Sequence, residues 1–395
     1  EDGDSSVEME DLIQREDMVI TVSLGGYIKR VPLSTYRSQK RGGRGRSGMT
    51  TKDEDVVSDV IVANTHDPVL FFSSLGKVYQ MKVYRLPLGS PQARGRAMVN
   101  LLPLAPGETI TTVLVKSDEI LQGQEPYLMF ATSLGNVRRN KLDDFANIPS
   151  NGKRAMRLDD NEELIAVAFC HETDDVMLST YQGICNRFNV TDIRIFAGRD
   201  SNGVRGIRLG KDDRVISMAI LTQGRLGIEE RQAYLRQAAK ARQLANQNDE
   251  EVITEESEEE NLDVKITPER FQELAAQEQF ILTITEKGFG KRSSAYEYRT
   301  TNRGSSGFAS IAVNARNGGV AASFPVMPDN QILLVTDQGR LMRCPIHDVR
   351  ITRRSAQGVI IFRVDENEKV VAVSCIPAGE DEEGEESIDL APVKD

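Results

Sequence analysis

The sequence predicts an all-β fold, a propeller-like disc in which six repeats each contribute four short strands. Two observations lead to this prediction: a period of about 50 residues, and four strand-like segments within each copy. In every copy an apolar strand leads into a glycine turn, and a second strand follows. A closed ring of such sheets protects their edges from pairing with other chains. The six turn glycines are Gly26, Gly76, Gly135, Gly183, Gly288 and Gly339.

The strand-like segments are rich in β-branched and aromatic residues, and glycine, proline and serine separate them. We expect a last strand at residues 370–376 to complete the ring. In the second copy the predicted strands are 70–74, 78–83, 99–102 and 109–115, and in the fourth copy they are 177–180, 184–188, 203–209 and 215–221.

An insertion separates the fourth repeat from the fifth, because their turn glycines lie 105 residues apart. We place it at residues 225–279. Residues 228–247 are rich in alanine, leucine, glutamine and arginine and predict a helix. Thr267 and Pro268 predict the N-cap and the first position of a second helix. The acidic run 248–263 between them is predicted to be disordered.

Acidic residues are concentrated in segments 1–17, 248–263 and 379–395. These segments carry a combined charge of −23, so the remaining residues carry +12 within a total of −11. We interpret 1–17 as an acidic linker, 18–377 as the repeat domain and 378–395 as an acidic tail. A basic body suits an anionic partner, although an ordinary soluble domain can carry such a charge. The tail either competes for the basic surface or serves solubility.

Several classes of function lack support in the sequence. No apolar run approaches the ~20 residues that span a bilayer, and no signal peptide opens the chain. The four cysteines are scattered and the three histidines lack ligand-like spacing, so we expect no disulfide or metal site. The P-loop, HExxH and GxSxG motifs are absent. We therefore expect a cytoplasmic, non-catalytic chain with no cofactor and no membrane partner.

Basic residues recur on the second strand of the repeat. Arginine is the fourth residue after the turn glycine in five copies, and Gln80 takes this position in the other. Because rotation relates equivalent positions in a ring, we expect these side chains to circle one rim, where their planar forks suit phosphate. Alternatively, each arginine pairs with an acid of the next blade. The predicted rim residues of this group are Lys29, Arg30, Lys82, Arg85, Arg138, Arg139, Arg187, Lys291, Arg292 and Arg343.

Strict alternation along the second strand leaves one question open. It places the recurring arginine on the same face as an apolar residue two positions earlier. Either the strand is bulged at this point, or the arginine lies beyond the packed part of the blade.

A second basic signature lies in the loop that follows the second strand. Glycines let backbone amides approach a phosphate chain closely, and lysine and arginine neutralise its charge. The first copy is the densest, with Lys40, Arg41, Arg44 and Arg46 within seven residues. A flexible, solvated turn is the alternative interpretation. The later loops add the predicted phosphate contacts Arg94, Arg96, Lys153, Arg154, Arg205 and Arg303.

The first loop matches the signature box of a known family. Together with residues 11–21 and 76–84, it makes the chain resemble the C-terminal domain of DNA gyrase A. The resemblance covers residues 11–377 apart from the insertion. It implies a six-bladed β-pinwheel, a propeller relative whose neighbouring blades exchange strands, with duplex DNA wrapped around a positive rim. The box reads Gln39-Lys40-Arg41-Gly42-Gly43-Arg44-Gly45.

The resemblance also implies a division of labour within a bacterial type IIA topoisomerase that introduces negative supercoils. Gyrase B would hydrolyse ATP with Mg²⁺, and the N-terminal part of gyrase A would cut DNA. This chain would be a domain, monomeric alone, of an A2B2 heterotetramer, and it would wrap one DNA segment for the cutting gate. The box would carry the wrapping role, and the other basic residues would contact DNA.

Two alternatives stay open. The corresponding domain of topoisomerase IV usually lacks an intact box and tends to have fewer blades, so the box and six copies favour gyrase. A propeller that binds proteins, such as a WD-repeat disc, is the second alternative. The chain contains no tryptophan, which argues against the Trp-Asp ending of WD repeats.

Overall fold

The structure, a computed structural model, describes residues 9–38, 57–224, 226–245 and 265–377. These ranges form six β-sheets, each built on an antiparallel hairpin whose first strand also pairs with a third strand. The predicted turn glycines join the hairpins with φ between +75° and +85°, a conformation that favours glycine. The six sheets, called blades one to six in chain order, confirm the predicted all-β fold.

In blades one to three the strands are β1 (Asp17–Ser23), β2 (Tyr27–Pro32) and β3 (Val57–Asn64); β4 (Pro68–Ser73), β5 (Lys77–Lys82) and β7 (Ile110–Val115); and β8 (Tyr127–Thr132), β9 (Asn136–Lys141) and β11 (Leu164–Cys170). In blades four to six they are β12 (Asp174–Thr180), β13 (Ile184–Asn189) and β16 (Val215–Thr222); β17 (Phe280–Thr285), β18 (Phe289–Ser294) and β20 (Val320–Val326); and β21 (Asn330–Thr336), β22 (Leu341–Pro345) and β24 (Val370–Pro377).

A two-residue strand from the following repeat forms the outer edge of blades one to five. These exchanged strands are β6 (Arg96–Ala97), β10 (Lys153–Arg154), β15 (Val204–Arg205), β19 (Phe308–Ala309) and β23 (Val359–Ile360). They pair with β2, β5, β9, β13 and β18, respectively. A further strand, β14 (Ile195–Phe196), runs parallel to β9. The exchange of strands between neighbouring blades, which the resemblance implied, is confirmed.

The predicted third strands are wrong in extent. In the second copy Met98–Asn100 forms a 3-10 helix, and the exchanged strand is Arg96–Ala97, just before the predicted segment. Close approach between the blades explains this. Gly95 has a φ of +87°, and a Cβ atom there would lie 2.4 Å from the carbonyl oxygen of Ile28. The backbone of the loop therefore crosses directly onto the neighbouring blade, where its short strand ends.

The third strands β3, β7, β11, β16, β20 and β24 form the inner layer of the ring. Successive members pack against one another from β7 to β24, and β24 packs against β3. At this junction the hydroxyl of Ser374 donates a hydrogen bond of 2.6 Å to the carbonyl of Val57. The first and last blades are therefore in contact, and the predicted last strand is confirmed as β24.

The blades pack face to face through their apolar side chains. Phe72 and Phe130, from neighbouring blades, have ring centroids 5.6 Å apart. The middle of β9, residues 137–140, is buried at four consecutive positions. Because both faces of a second strand are covered, alternation does not separate a core side from a solvent side here. This answers the question of the recurring arginine without a bulge.

Helices are few in the described ranges. The α-helices are α1 (Leu33–Ser38), α2 (Asp118–Gln122), α3 (Ile228–Ala245) and α4 (Pro268–Gln277), and the other 3-10 helices are Val83–Arg85, Leu142–Phe145, Val190–Asp192, Ala295–Glu297 and Ile346–Asp348. Both predicted insertion helices are present, and Thr267 caps α4 by accepting a hydrogen bond from the Arg270 amide. The acidic run 248–263 and the tail 378–395 lie outside the described residues. Among the helices of the described ranges, none combines the length and the hydropathy that a membrane span needs.

Candidate nucleic-acid interface

Arg138, in the middle of β9, is completely buried. Its guanidinium carbon lies 4.8 Å from the centroid of the Phe130 ring, and its Nε donates a hydrogen bond of 2.6 Å to the side chain of Asn140. Burial lowers the pKa of Arg138 to about 10. The two terminal nitrogens donate to backbone carbonyls of the crossing loops, those of Arg199 at 3.0 Å, Ser201 at 2.8 Å and Ala155.

Lysines occupy the equivalent position in blades one and five, three residues after the turn glycine. Lys29 and Lys291 are also buried, and burial lowers the pKa of each. Each ammonium group donates to three backbone carbonyls of the crossing loops. For Lys29 these are Ser90 at 3.1 Å, Pro91 at 2.6 Å and Ala93 at 2.8 Å, and for Lys291 they are Ser310 at 2.7 Å, Arg353 at 3.2 Å and Arg354.

Four of the five recurring arginines, each four residues after the turn glycine, donate to carbonyls within or beside the 3-10 helix of the next repeat. These contacts join Arg30 to Leu86 at 2.9 Å, Arg139 to Ile193 at 2.8 Å, Arg187 to Ala295 at 2.9 Å, and Arg292 to Val349 at 2.8 Å. Arg30 and Arg292 are half-buried, and the other two are buried. In blades one, three, four and five, second-strand cations therefore hold the blade to the crossing segment of the next repeat.

The expectation that Lys29, Arg138, Arg139, Arg187 and Lys291 face the rim is wrong, because these side chains are only 0 to 5% exposed. The physical reason is that each of these second strands is covered on both faces by neighbouring blades. Crossing loops bring buried carbonyl groups there that need donors, and cationic side chains supply them. The acceptors are mainly backbone carbonyls, so the alternative of arginine paired with an acid of the next blade does not describe them either.

Other predicted residues lie on the exchanged strands, at the outermost edge of the blades. Arg96, Arg154 and Arg205 are exposed on β6, β10 and β15, and Lys153 beside them is half-buried. Arg303 is exposed and donates a hydrogen bond of 2.7 Å to the carbonyl of Arg205. These side chains form a cationic arc on the outside of blades one to three, where a large ligand can reach them.

The remaining predicted cations are placed elsewhere on the surface. Arg85 is exposed at the 3-10 helix after β5, and Arg343 is exposed on β22. Lys82 is half-buried and forms an ion pair of 3.2 Å with Glu10. The box, Gln39 to Gly45, and Arg46 lie outside the described residues.

Stacking of arginine on aromatic rings orders several cations of the outer edge. The guanidinium of the exposed Arg94 lies 3.9 Å from the ring centroid of Tyr27. At blade four, Phe308 of β19 contacts two guanidiniums, those of Arg299 at 5.4 Å and Arg354 at 4.7 Å. Such contacts limit the conformations of a long side chain before a ligand binds. Arg299 and Arg354 are not among the residues predicted from the sequence, although an aromatic residue among basic loops was a usable signal.

The outer edge changes in character around the ring. The exchanged strands of blades one to three contain arginine or lysine, whereas β19 and β23 contain Phe308, Ala309, Val359 and Ile360. The cationic path formed by the exchanged strands therefore stops after blade three, and at blade four the pair stacked on Phe308 takes its place.

Comparison with known proteins agrees with this architecture. The family described as "DNA gyrase C-terminal domain, beta-propeller" matches six stretches, one for each blade. They are residues 17–64, 67–115, 126–171, 174–222, 279–324 and 330–377. This chain belongs to the DNA gyrase C-terminal domain family. The β-propeller of the family description is thus the fold seen in this chain.

Curated relatives are DNA gyrase A proteins. The protein from Rickettsia bellii is 48% identical over 385 residues, which are 98% of this chain and 42% of that protein. The protein from Escherichia coli is 37% identical over 385 residues, covering 98% of this chain and 37% of that protein. The chain therefore spans about two fifths of the relatives' length, and these names do not favour the topoisomerase IV alternative.

Two solved structures are similar in fold. The C-terminal domain of DNA topoisomerase IV superposes with a TM-score of 0.68 at 18% identity, covering 93% of this chain and 95% of that one. A DNA gyrase A C-terminal domain superposes with a TM-score of 0.59 at 21% identity, covering 91% and 99%. At these identities the likeness supports the fold.

Proposed function

We propose that this domain binds duplex DNA along the outer edge of its blades and bends it around the ring. The observation that supports the proposal most is the cationic arc on the exchanged strands, where Arg96, Arg154 and Arg205 are exposed. Membership of the gyrase C-terminal domain family agrees with it. Arginine on a convex edge contacts phosphates and reads the shape of the duplex more than its base sequence.

The energetics of bending require contacts that are spread over an arc. Bending about 40 base pairs through half a turn costs on the order of 10 kcal/mol, given a persistence length of about 150 base pairs. If each charge-assisted phosphate contact returns about 1.5 kcal/mol, roughly seven contacts are needed. The exposed arginines of blades one to four, with the box residues Lys40, Arg41, Arg44 and Arg46, form a set of this size.

The buried cations have a different part in this proposal. Lys29, Arg138 and Lys291 hold the crossing loops, and the exposed cations stand on those loops. A rigid spacing between exposed cations limits the entropy that is lost when DNA binds. The buried residues therefore contribute through the shape of the edge and not through contact with phosphate.

The wider role follows from the gyrase proteins to which the chain is similar. We infer that this domain is non-catalytic and wraps DNA for an A2B2 gyrase that introduces negative supercoils in the bacterial cytoplasm. Gyrase B and the rest of gyrase A would supply ATP hydrolysis, Mg²⁺ and DNA cutting. No cofactor is proposed for this domain.

A ligation experiment tests wrapping directly. Nicked plasmid circles are sealed with and without this chain, and the linking number of the deproteinised product is measured. A stable linking difference that grows with protein concentration is expected. Alanine replacement of Gln39 to Gly45 should abolish the difference while the thermal unfolding midpoint stays unchanged. An unchanged linking number at low salt with the natural sequence would instead favour a propeller that binds proteins.

A further inference from the structure

The insertion between blades four and five contributes a basic helix, α3. It carries four cations, Arg231, Arg236, Lys240 and Arg242, and two acids. One of the acids, Glu230, is engaged by Arg270 of α4 at 2.6 Å. In the described part of the chain, no carboxylate forms an ion pair with any of the four cations. The helix therefore presents a net positive surface.

Packing fixes the orientation of α3. Tyr234 is buried, with its ring 5.4 Å from that of Tyr296, in the 3-10 helix that follows β18, and 5.0 Å from that of Phe271 in α4. Its hydroxyl donates a hydrogen bond of 2.9 Å to Glu278. Ala238, one turn further on, is buried against the same cluster. The helix is thus held on the body of the ring by one face.

The four cations lie on two other faces of the helix. Arg236 and Lys240 are four residues apart, one turn, and both are exposed on the side away from Tyr234. Arg231 and Arg242 are eleven residues apart, three turns, and both are half-buried at the border of the packed face. Both pairs repeat along the helix axis, so a linear polyanion can contact them in sequence.

The border pair adjoins cations of the blades. Burial lowers the pKa of Arg231, and the guanidiniums of Arg299 and Arg187 lower it further. Burial also lowers the pKa of Arg292, and Arg242 acts on it in the same direction. Arg299 is itself stacked on Phe308, on the exchanged strand of blade four. Tyr296, on which α3 packs, lies three residues before Arg299, so the basic surface of α3 lies beside the outer edge of blade four.

The place of the insertion in the chain indicates a role for the basic surface of α3. The exchanged strands lose their cations after blade three, and α3 enters the chain between blades four and five. We propose that α3 is a second phosphate-binding element, which extends the DNA path past blade four through Arg236 and Lys240. This inference rests on the proposed DNA binding by the outer edge. A duplex suits this surface better than an acidic peptide. A duplex that is bound along the arginines of the neighbouring blade brings its next phosphates to α3.

Neutralising the exposed pair tests the proposal. In this chain R236Q and K240Q are combined, and affinity for a duplex of about 150 base pairs is measured over a range of salt concentrations. The slope of log K against log salt should fall by up to about 1.8, since each lost phosphate contact removes about 0.9. The matched control is K211Q with K369Q, two exposed lysines beside the hairpin turns of blades four and six. The control should keep the natural slope.

A second readout reports on the natural sequence. Acetylation of lysines by a small reagent, followed by mass spectrometry, should show Lys240 protected by DNA and Lys211 equally reactive with and without it. Equal reactivity of Lys240 in both states, or a natural salt slope in the α3 variant, would overturn the proposal. R154Q combined with R205Q separates this failure from that of the proposed function. If this edge variant also keeps the natural slope, DNA binding by the outer edge fails as well.

Discussion

Arg187 of β13 donates a hydrogen bond of 2.8 Å from Nε to Asp175 of β12, and both side chains are almost completely buried. The same guanidinium donates to the carbonyls of Ala295 and Tyr298 in the next blade. The Arg187 guanidinium, whose charge Asp175 neutralises, therefore joins blades four and five. Such a pair makes the junction sensitive to the loss of either partner, because a lone buried charge is costly.

Replacing the acid of this pair should weaken the junction. D175N keeps the shape of the side chain but leaves the Arg187 charge without its carboxylate, and we expect a loss of about 3 kcal/mol in the free energy of unfolding. Urea unfolding followed by circular dichroism measures it. D192N, at an exposed aspartate of the same blade, should change stability by less than about 0.5 kcal/mol. Equal effects of the two variants would contradict the structural role of the pair.

A comparison of Arg138 with Arg154 distinguishes a cation that stabilises the fold from a cation that serves the surface. R138Q removes the guanidinium that donates to three carbonyls inside the protein, so we expect a loss of about 3 kcal/mol in stability. R154Q removes an exposed charge whose one ion pair, with Asp200 at 3.5 Å, lies in solvent, so stability should stay within about 0.5 kcal/mol. Unfolding in urea ranks the two variants. The salt slope of DNA binding should fall for R154Q and stay natural for R138Q under conditions where it remains folded.

The repeat, the hairpin turns and the insertion helices could be predicted from sequence because their signals are local. A glycine with positive φ, an N-cap threonine before proline and a run of β-branched residues each act over a few positions. The buried position of the Arg138 side chain could not be predicted in this way. Its neighbours in sequence do not reveal that both faces of β9 are covered, or that carbonyls about 60 residues further along the chain will need donors.

The candidate site was predictable in part for the same reason. Arg96, Arg154 and Arg205 follow glycine-rich loops, and loops that cross between blades end at the outside. The stacking of Arg299 and Arg354 on Phe308 depends on three segments that meet after folding. A charge pattern alone cannot distinguish a cation that satisfies a buried carbonyl from one that faces solvent, because both kinds recur with the period of the blade.

The hydrogen bonds of Glu368 should make the stability of the sixth blade sensitive to low pH. Its carboxylate accepts hydrogen bonds from Arg340 at 2.6 Å, from Thr336 at 2.6 Å and from the Asp365 amide at 3.0 Å. These donors, Arg340 first, lower the pKa of Glu368 to about 2. The pKa of a glutamate in the unfolded chain is about 4.3. The hydrogen bonds therefore contribute fully to the stability of the fold above that pH. Their contribution is lost as pH falls from about 4.3 towards 2.

The measurement compares urea midpoints at pH 5.5 and at pH 3 for the natural sequence and for E368Q. The difference between the two pH values should be smaller for E368Q, since the variant cannot lose a proton-linked contribution that it lacks. E366Q, at an exposed neighbour, should keep the natural difference. An identical response of all three proteins would remove Glu368 from the acid sensitivity of the domain.

Gly95 tests whether close approach of the blades limits the exchanged strand. G95A places a Cβ atom 2.4 Å from the Ile28 carbonyl oxygen at a residue with φ of +87°. Gly107 has a similar φ, +79°, but its Cβ atom would meet nothing within 4 Å. G107A should cost about 1 kcal/mol for backbone conformation alone, and G95A should cost at least about 1 kcal/mol more because the crossing must shift. Urea unfolding gives both values. If the two costs are equal, close approach at Gly95 does not constrain the crossing that leads to β6 and Arg96.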